Sequence, residues 1–282
     1  MRKNLKLLLI MFIFVPVVVC ANEEYVNYYG IEMSEEEYNN LLGLGFDDEE
    51  IYYMMEDEFN ANKDIESSLE AVSVKYYVDT VRYDSLGRVV YSNTTEVTEE
   101  EYNDDSIMLL GDVYVETTYK QMLTTIAKAG SYYRYKVTLT WKLMPKVRSY
   151  DIIGIGIEPS LVDIVGSFHF NQVYCISNSC TNSSTINNSY YSPRGAGASF
   201  KLPTSTSITG IRAALYFDVT KDSNTTLTVM YADGDYAHAT STVTANQATG
   251  FWVNQAGVIL DSGIENYYDD INAAEASWHG TW

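Results

Sequence analysis

The sequence predicts a mainly β protein, an antiparallel β-sandwich preceded by a short acidic helical segment. Two patterns support this. Strand-like alternation with polar turns runs from about residue 71 onward, and helix-capping patterns lie in the acidic stretch before it. The predicted organisation is a signal peptide at 1–21, a helical segment at 22–70 and a sandwich at 71–282, within which 71–110 could form an additional hairpin.

The N-terminus predicts export. MRKNLK is basic, residues 7–19 are apolar and uncharged, and Val19 and Ala21 suit a cut before Asn22. A retained membrane helix is the first alternative, but the apolar run is short for a span and contains a proline. A lipoprotein acylated at Cys20 is the second. No later stretch is long and apolar enough to span a bilayer, so no membrane span is expected after cleavage.

The charge is strongly acidic, with 18 Lys and Arg against 38 Asp and Glu and a net charge of −20. Residues 22–70 hold most of the imbalance, and Lys63 is their single basic residue. Nucleic acid binding needs a basic surface, so it is excluded as a general function. An anionic membrane would also repel this segment.

Three capping boxes predict helix starts: Ser34 with Glu37, Asp47 with Glu50, and Thr98 with Glu101. The first two predict a pair of short helices joined at 43–46. Helices this short are marginal alone. Because like charges repel, we expect the segment to be loosely tethered to the sandwich, with a boundary near residue 70.

The clearest strand is 131–144, where two sets of residues alternate. Tyr133, Tyr135 and Val137 begin one face, and Arg134 and Lys136 belong to the other. This predicts a half-buried antiparallel strand. Further strands are predicted at 72–79, 88–95, 112–119, 150–157, 167–175, 211–219, 225–231, 236–244 and 251–260, and a helix is predicted at 264–278.

Residues 176–210 are rich in Ser, Thr, Asn and Gly and predict a long loop or a weak edge hairpin. A binding loop and the folded stem of a pore-forming toxin are the functional alternatives for this stretch.

Gly154 and Gly156 interrupt an isoleucine run that Pro159 closes. A dinucleotide fingerprint would need a third glycine and a following helix, and neither is present. We therefore predict a strand whose two glycines share one face, which a backbone or the ring of Trp141 or Trp252 can approach.

Cys175 and Cys180 are an even pair in a predicted exported chain, which favours a disulfide over two free thiols. The ring would be small, so reduction should change the melting temperature little. No metal site is expected, because no second cysteine or histidine pair lies nearby. No cofactor motif is found.

Catalytic candidates are few. The chain has three histidines, His169, His238 and His279, and no serine-hydrolase elbow or paired zinc ligands. Asp235 and His238 point to opposite faces of a strand. No catalytic residue is assigned, although a glycosidase carboxylate pair remains an alternative.

Weak calcium binding also remains an alternative, at Asp218, Asp222 and Asn224 or at Asp233 and Asp235.

Asn93, Asn182, Asn187 and Asn224 match the glycan-acceptor pattern. The 25 tyrosines could form an aromatic face that binds sugar rings or a protein, or they could simply reflect strand propensity.

The export signal, the capped acidic helices, "GSYYRYKVTLTWKLMP" and "RSYDIIGIGI" resemble uncharacterised secreted proteins of low-GC Gram-positive bacteria. The resemblance implies an extracellular or cell-surface location and no activity. The expected function is non-enzymatic binding or adhesion with a glycan or protein ligand. A secreted glycan-active hydrolase and a pore-forming toxin are the alternatives.

Overall fold

The structure is a computed structural model that describes residues 25–282, apart from 87, 105–114, 159, 164–165, 178, 222–225 and 270. The predicted signal peptide at 1–21 lies outside the described residues. Within them, no helix is long and apolar enough to cross a membrane.

The prediction of a mainly β, antiparallel sandwich is confirmed. The first of the two packed layers is an eight-stranded sheet. Its strands are β3 (Ser67–Tyr83), β4 (Val89–Val97), β5 (Val115–Ala129), β6 (Tyr132–Trp141), β8 (Leu161–Asp163), β9 (His169–Ile176), β10 (Ser179–Ser183) and β13 (Ile208–Lys221). They are ordered β10-β9-β13-β6-β5-β3-β4, and β8 pairs with β13.

The second layer is a five-stranded antiparallel sheet in the order β11-β12-β7-β14-β17. Its strands are β7 (Tyr150–Ile157), β11 (Asn188–Ser192), β12 (Gly195–Lys201), β14 (Val229–Ala237) and β17 (Asn272–His279). Alternate residues of both sheets form the main core, in which Tyr135, Val137, Leu139, Ile153 and Phe217 are fully buried.

The N-terminal segment contains β1 (Tyr25–Val26), β2 (Glu32–Met33), α1 (Glu35–Gly43), α2 (Asp48–Tyr52) and α3 (Glu56–Asn62). The capping boxes at Ser34 and Asp47 are confirmed, as is the one at Thr98, which starts α4 (Glu99–Asn103). The segment has three helices rather than the predicted two. The third, α3, was not predicted because it begins without a side-chain cap.

The expected loose tethering is wrong, because the helices are docked on the outer face of the larger sheet. Leu41, Leu44 and Phe46 form a second core with Tyr216 of β13. Three cations of the sheet, Arg134, Lys136 and Arg212, face the helices and contact polar or acidic side chains of the segment. Repulsion among the acids of the segment does not prevent docking, because these cations of the sheet offset their charge.

The prediction that β6 is only half-buried is wrong for the same reason. Tyr133, Tyr135 and Val137 face the main core as expected. The alternate face is also covered, since Lys136 is fully buried beneath α2.

A two-stranded hairpin of β15 (Phe251–Asn254) and β16 (Gly257–Leu260) covers the outer face of the smaller sheet. Gly154 and Gly156 lie on β7, as predicted, and their bare face receives this hairpin. A Cβ on Gly154 would lie 2.7 Å from Val258, and Asn254 backbone approaches Gly156 in the same way. Of the two predicted neighbours, the backbone is confirmed at Gly156, and valine side chains rather than a tryptophan ring lie nearest to Gly154.

Two further predictions are wrong. The predicted C-terminal helix at 264–278 is a short 3-10 turn followed by β17, which completes the smaller sheet. The predicted strand at 236–244 ends at Ala237, and the chain then leaves the sheet. Pairing with β14 overrides the local helical pattern of the terminus.

Residues 176–210 hold β10 at one edge of the larger sheet and β11 at one edge of the smaller sheet, where β11 forms a hairpin with β12; this fits the edge-hairpin alternative. Cys175 of β9 and Cys180 of β10 are directly paired across one hairpin, and a disulfide joins them.

Candidate functional site

A small cleft opens in the helical segment, and tyrosines form much of its wall. We call it the tyrosine cleft. It encloses about 150 Å³ and is lined by Tyr25, Val26, Asn27, Met33, Tyr38, Asp48, Ile51 and Tyr52. Ligand sites for drug-sized molecules are typically ~300–1,000 Å³, so this cleft suits one side chain or one ring.

Two stacked rings form one wall of the cleft. Tyr25 and Tyr38 lie 4.1 Å apart between centroids at an angle of 6°. The Tyr38 hydroxyl donates a 2.7 Å hydrogen bond to Asp48 Oδ1. Burial, together with that carboxylate, raises the pKa of Tyr38 to about 12, so the phenol remains a neutral donor at neutral pH.

Buried residues fix the floor of the cleft. Met33 and Ile51 belong to the second core, and Asn27 is buried beside them. The Asn27 amide donates a 2.8 Å hydrogen bond to Met54 O, and its carbonyl accepts from the Tyr29 and Ile31 backbone N–H groups. The floor is thus held by contacts within the segment.

The rim of the cleft is aromatic and acidic. Tyr28 makes ring contacts with Tyr29, Tyr52 and Tyr53, with centroids 5.1 to 6.0 Å apart. Tyr52 is 46% exposed, and Asp48 is exposed beside it. Aromatic faces and a carboxylate around an apolar floor are the features that bind an organic cation.

A second polar site lies between the two sheets, and we call it the buried charge cluster: Asp79, Lys120, Asp151, His238 and Asp269. The Lys120 amine lies 2.8 Å from Asp269 Oδ2 and 2.8 Å from Asp79 Oδ2. All three side chains are at most 3% exposed. The amine also lies 5.1 Å from the centre of the Trp141 ring.

Hydrogen bonds orient both carboxylates of this triad. Asp269 Oδ1 accepts a 2.7 Å bond from the His238 backbone N–H, and the Asp269 N–H donates back to the His238 carbonyl. Asp79 accepts from the hydroxyls of Thr94 and Thr118, on the strands either side of β3. Burial raises the pKa of Asp269 to about 6, although the Lys120 charge opposes the rise.

The other half of the cluster is centred on Asp151 of β7. It lies 3.0 Å from His238 Nδ1 and accepts hydrogen bonds from the Tyr236 hydroxyl and the Ala239 N–H. Burial lowers the pKa of His238, but the charge of Asp151 outweighs it, so the pKa is raised overall. The imidazole therefore favours its protonated form beside Asp151.

A narrow cleft leads from the surface to the buried charge cluster. It is lined by Asp79, Val81, Tyr83, Ser92, Glu116, Thr118, Pro145, Val147, His238, Thr240 and Asp269, and it encloses about 10 Å³. That space holds about one water molecule. A sugar ring does not fit, so these carboxylates do not support the glycosidase alternative.

The structure uses most of the sequence candidates in internal contacts. Asp218 pairs with Arg134, and Asp235 accepts from the Val258 N–H. Asp235 lies within β14, whereas His238 lies beyond the end of that strand and contacts Asp151. His169 stacks on Tyr216. Asp222 and Asn224 lie outside the described residues.

Within the described chain, no group of three or more His, Cys, Asp or Glu residues is arranged to hold a metal ion.

Neither the tyrosine cleft nor the buried charge cluster was predicted from the sequence. A signal for the cluster was available, because Lys120 shares a strand face with Thr118 and Met122 and so predicts a cation in the core. The cleft had no comparable signal, since it joins residues from four separate elements.

No family model and no curated protein matches this chain. Among solved structures, it is similar to the collagen-binding domain of the Erysipelothrix rhusiopathiae surface protein RspB, with 8% identity over 57% of this chain and 65% of that chain and a TM-score of 0.27. The T6 backbone pilin of serotype M6 Streptococcus pyogenes has 11% identity over 76% of this chain and 64% of that chain, with a TM-score of 0.30.

A third similar structure is AvmM, which catalyses macrocyclization in alchivemycin A biosynthesis, with 8% identity over 52% of this chain and 80% of that chain and a TM-score of 0.24. The chain spans less than two thirds of the length of the first two structures. TM-scores this low carry no argument about function.

Proposed function

We propose that this chain is an exported, non-enzymatic binding protein that acts outside the cell or at its surface. Its ligand is a basic protein, from which one Lys or Arg side chain enters the tyrosine cleft. The observation that carries the proposal is the cleft itself, with stacked tyrosines, an apolar floor and the exposed Asp48 at its rim.

The size of the cleft supports a single side chain as the ligand group. The aliphatic stem of Lys or Arg would contact Met33 and Ile51, and the charged head would remain near the rim. A cation over a tyrosine ring gains about 0.5–2 kcal/mol, depending on how far it is desolvated.

The charge of the surrounding surface supports a basic partner. Glu35 and Glu36 of α1 and Asp48 and Glu49 of α2 are exposed. The negative potential of such a surface speeds association with a basic partner and is screened by salt.

A matched pair of peptides tests the proposal. One alternates glycine with arginine, and the other replaces each arginine with citrulline, which has the same shape and no charge. Calorimetry should show binding of the arginine peptide that weakens as salt is added. The citrulline peptide should bind about tenfold or more weakly, because it lacks the charge.

Two variants locate the site. Tyr52→Ala and Asp48→Asn should each weaken binding of the arginine peptide. Tyr231→Ala and Asp57→Asn are the controls, because they change an exposed tyrosine on β14 and an exposed acid on α3. Equal affinity for both peptides, equal losses in the controls, or binding of neutral methyl glycosides in the cleft would each contradict the proposal.

A further inference from the structure

We propose that Lys120 and Asp269 become joined by an intramolecular amide bond, which cross-links β5 of the larger sheet to the segment leading into β17 of the smaller sheet. The basis is geometric. The amine and the carboxyl oxygen are 2.8 Å apart, and both side chains are almost completely excluded from water.

Burial gives access to the neutral forms that react. An ammonium and a carboxylate lose their hydration in the core, so a proton can pass from Lys120 to Asp269 along their hydrogen bond. Burial raises the pKa of Asp269 and by itself lowers that of Lys120, but the charges of Asp269 and Asp79 outweigh burial and raise the Lys120 pKa overall. The neutral amine facing a neutral carboxylic acid is therefore the minor form, and the reaction proceeds from it.

The remaining groups are placed for condensation. The Lys120 nitrogen attacks Cγ of Asp269, and the electron pair of the carbonyl moves to Oδ1, which already accepts the His238 N–H at 2.7 Å. That donor stabilises the developing oxyanion. Asp79 Oδ2, 2.8 Å from the amine, takes the surplus proton from the nitrogen.

The final step releases water. Asp79 passes the proton to the Oδ2 hydroxyl, the C–O bond breaks, and the carbonyl re-forms as an amide. The ammonium and carboxylate are consumed, one amide and one water are formed, and Asp79 returns to its starting state. The cleft of about 10 Å³ beside Asp79 and Asp269 gives that water a route to the surface.

Proximity lowers the barrier to condensation. Holding two groups in contact distance corresponds to effective concentrations of about 10⁵–10⁸ M in well-oriented systems. The hydrogen bonds of Thr94 and Thr118 to Asp79, and those of the His238 backbone to Asp269, fix this orientation before reaction.

The chain contains its own control. Lys136 is also fully buried and lies 2.6 Å from Glu50. Its other hydrogen bonds go to the Gly45 carbonyl and the Thr138 hydroxyl, so among the described residues no second carboxylate hydrogen-bonds to the amine to relay the proton. We expect Lys136 and Glu50 to remain unlinked.

Mass spectrometry of the folded full chain after trypsin digestion tests the bond. Trypsin would not cleave at a linked Lys120, so the peptide 89–128 would stay joined to 222–282, with a mass one water below their sum. Fragmentation should place the link at Lys120 and Asp269. Recovery of both peptides unjoined, with cleavage at Lys120, would overturn the proposal, as would a link at other residues.

Two variants test the assigned roles. Asp269→Asn should still link, but with loss of ammonia in place of water, because the leaving atom is now nitrogen. Asp79→Asn should retain the fold, checked by circular dichroism, and give unjoined peptides. Full linkage in Asp79→Asn would show that the proton relay is wrongly assigned.

Discussion

Lys136 of β6 donates a 2.6 Å hydrogen bond to Glu50 of α2, and both side chains are buried in the interface between the larger sheet and the helical segment. Removing one partner of a buried pair leaves an uncompensated charge. We expect Glu50→Ala to lower the free energy of unfolding by about 3–5 kcal/mol. Denaturant titration measures this change.

The exposed pair of Lys75 and Glu96 is the control for that variant. Glu96→Ala should change the free energy of unfolding by less than about 1 kcal/mol, since solvent screens the pair. Similar effects of the two substitutions would contradict the docked position of α2.

Phe46 packs edge-on against Tyr216 of β13, with ring centroids 5.6 Å apart, and is 4% exposed. Truncation would open a cavity between helix and sheet. Phe46→Ala should cost about 3–5 kcal/mol, as measured by chemical unfolding. A cost below 1 kcal/mol would show that the ring leaves the sheet face in solution.

Gly156 lies under the β15–β16 hairpin. A Cβ there would lie 2.4 Å from Asn254 O and 2.6 Å from Gly257 N, so backbone would have to move. Gly156→Ala should destabilise the fold by about 1–3 kcal/mol. At Gly210 a Cβ meets no described atom within 4 Å, so Gly210→Ala should leave the free energy of unfolding unchanged or slightly higher. Chemical unfolding of both variants measures the two changes. Equal costs at the two positions would contradict the hairpin placement.

His238 is expected to make stability depend on pH. Burial lowers its pKa, but the charge of Asp151 and its hydrogen bond outweigh burial and raise the pKa above 6.5; the Asp269 charge adds to the rise and the Lys120 charge opposes it. The protonated imidazole thus stabilises the fold fully below pH 6.5, and this contribution is lost as pH rises through the raised pKa. The free energy of unfolding of the native chain should fall over that range relative to His238→Gln. A native His238 pKa below 6.5 by NMR would contradict this assignment.

Local patterns predicted the parts of the fold that depend on local physics. The capping boxes located three helix starts, and alternation at 131–144 identified which residues of β6 face the main core. The C-terminal strand was missed because its pairing partner, β14, lies about 40 residues earlier in sequence and local propensity alone favours a helix.

The docking of the helical segment was not predicted, because the prediction used only the net charge of the segment. Docking depends instead on where individual charges of the segment and the sheet meet. Residues 22–70 are strongly acidic, but Lys136 and Arg212 lie where their acids meet the sheet. The tyrosine cleft follows from that docked arrangement and from the long-range Asn27 contacts, so strand and helix periodicity could not reveal it.

Native-state hydrogen exchange of the helical segment tests the central claim, that these helices and the sandwich form one folded unit that presents the tyrosine cleft. We expect the Ile51 and Tyr53 amides, whose N–H groups are bonded within α2, to exchange with protection close to that of the Val137 amide in β6. Rapid, unprotected exchange in α2 while Val137 remains protected would show that the helices are loosely tethered and would contradict the single folded unit.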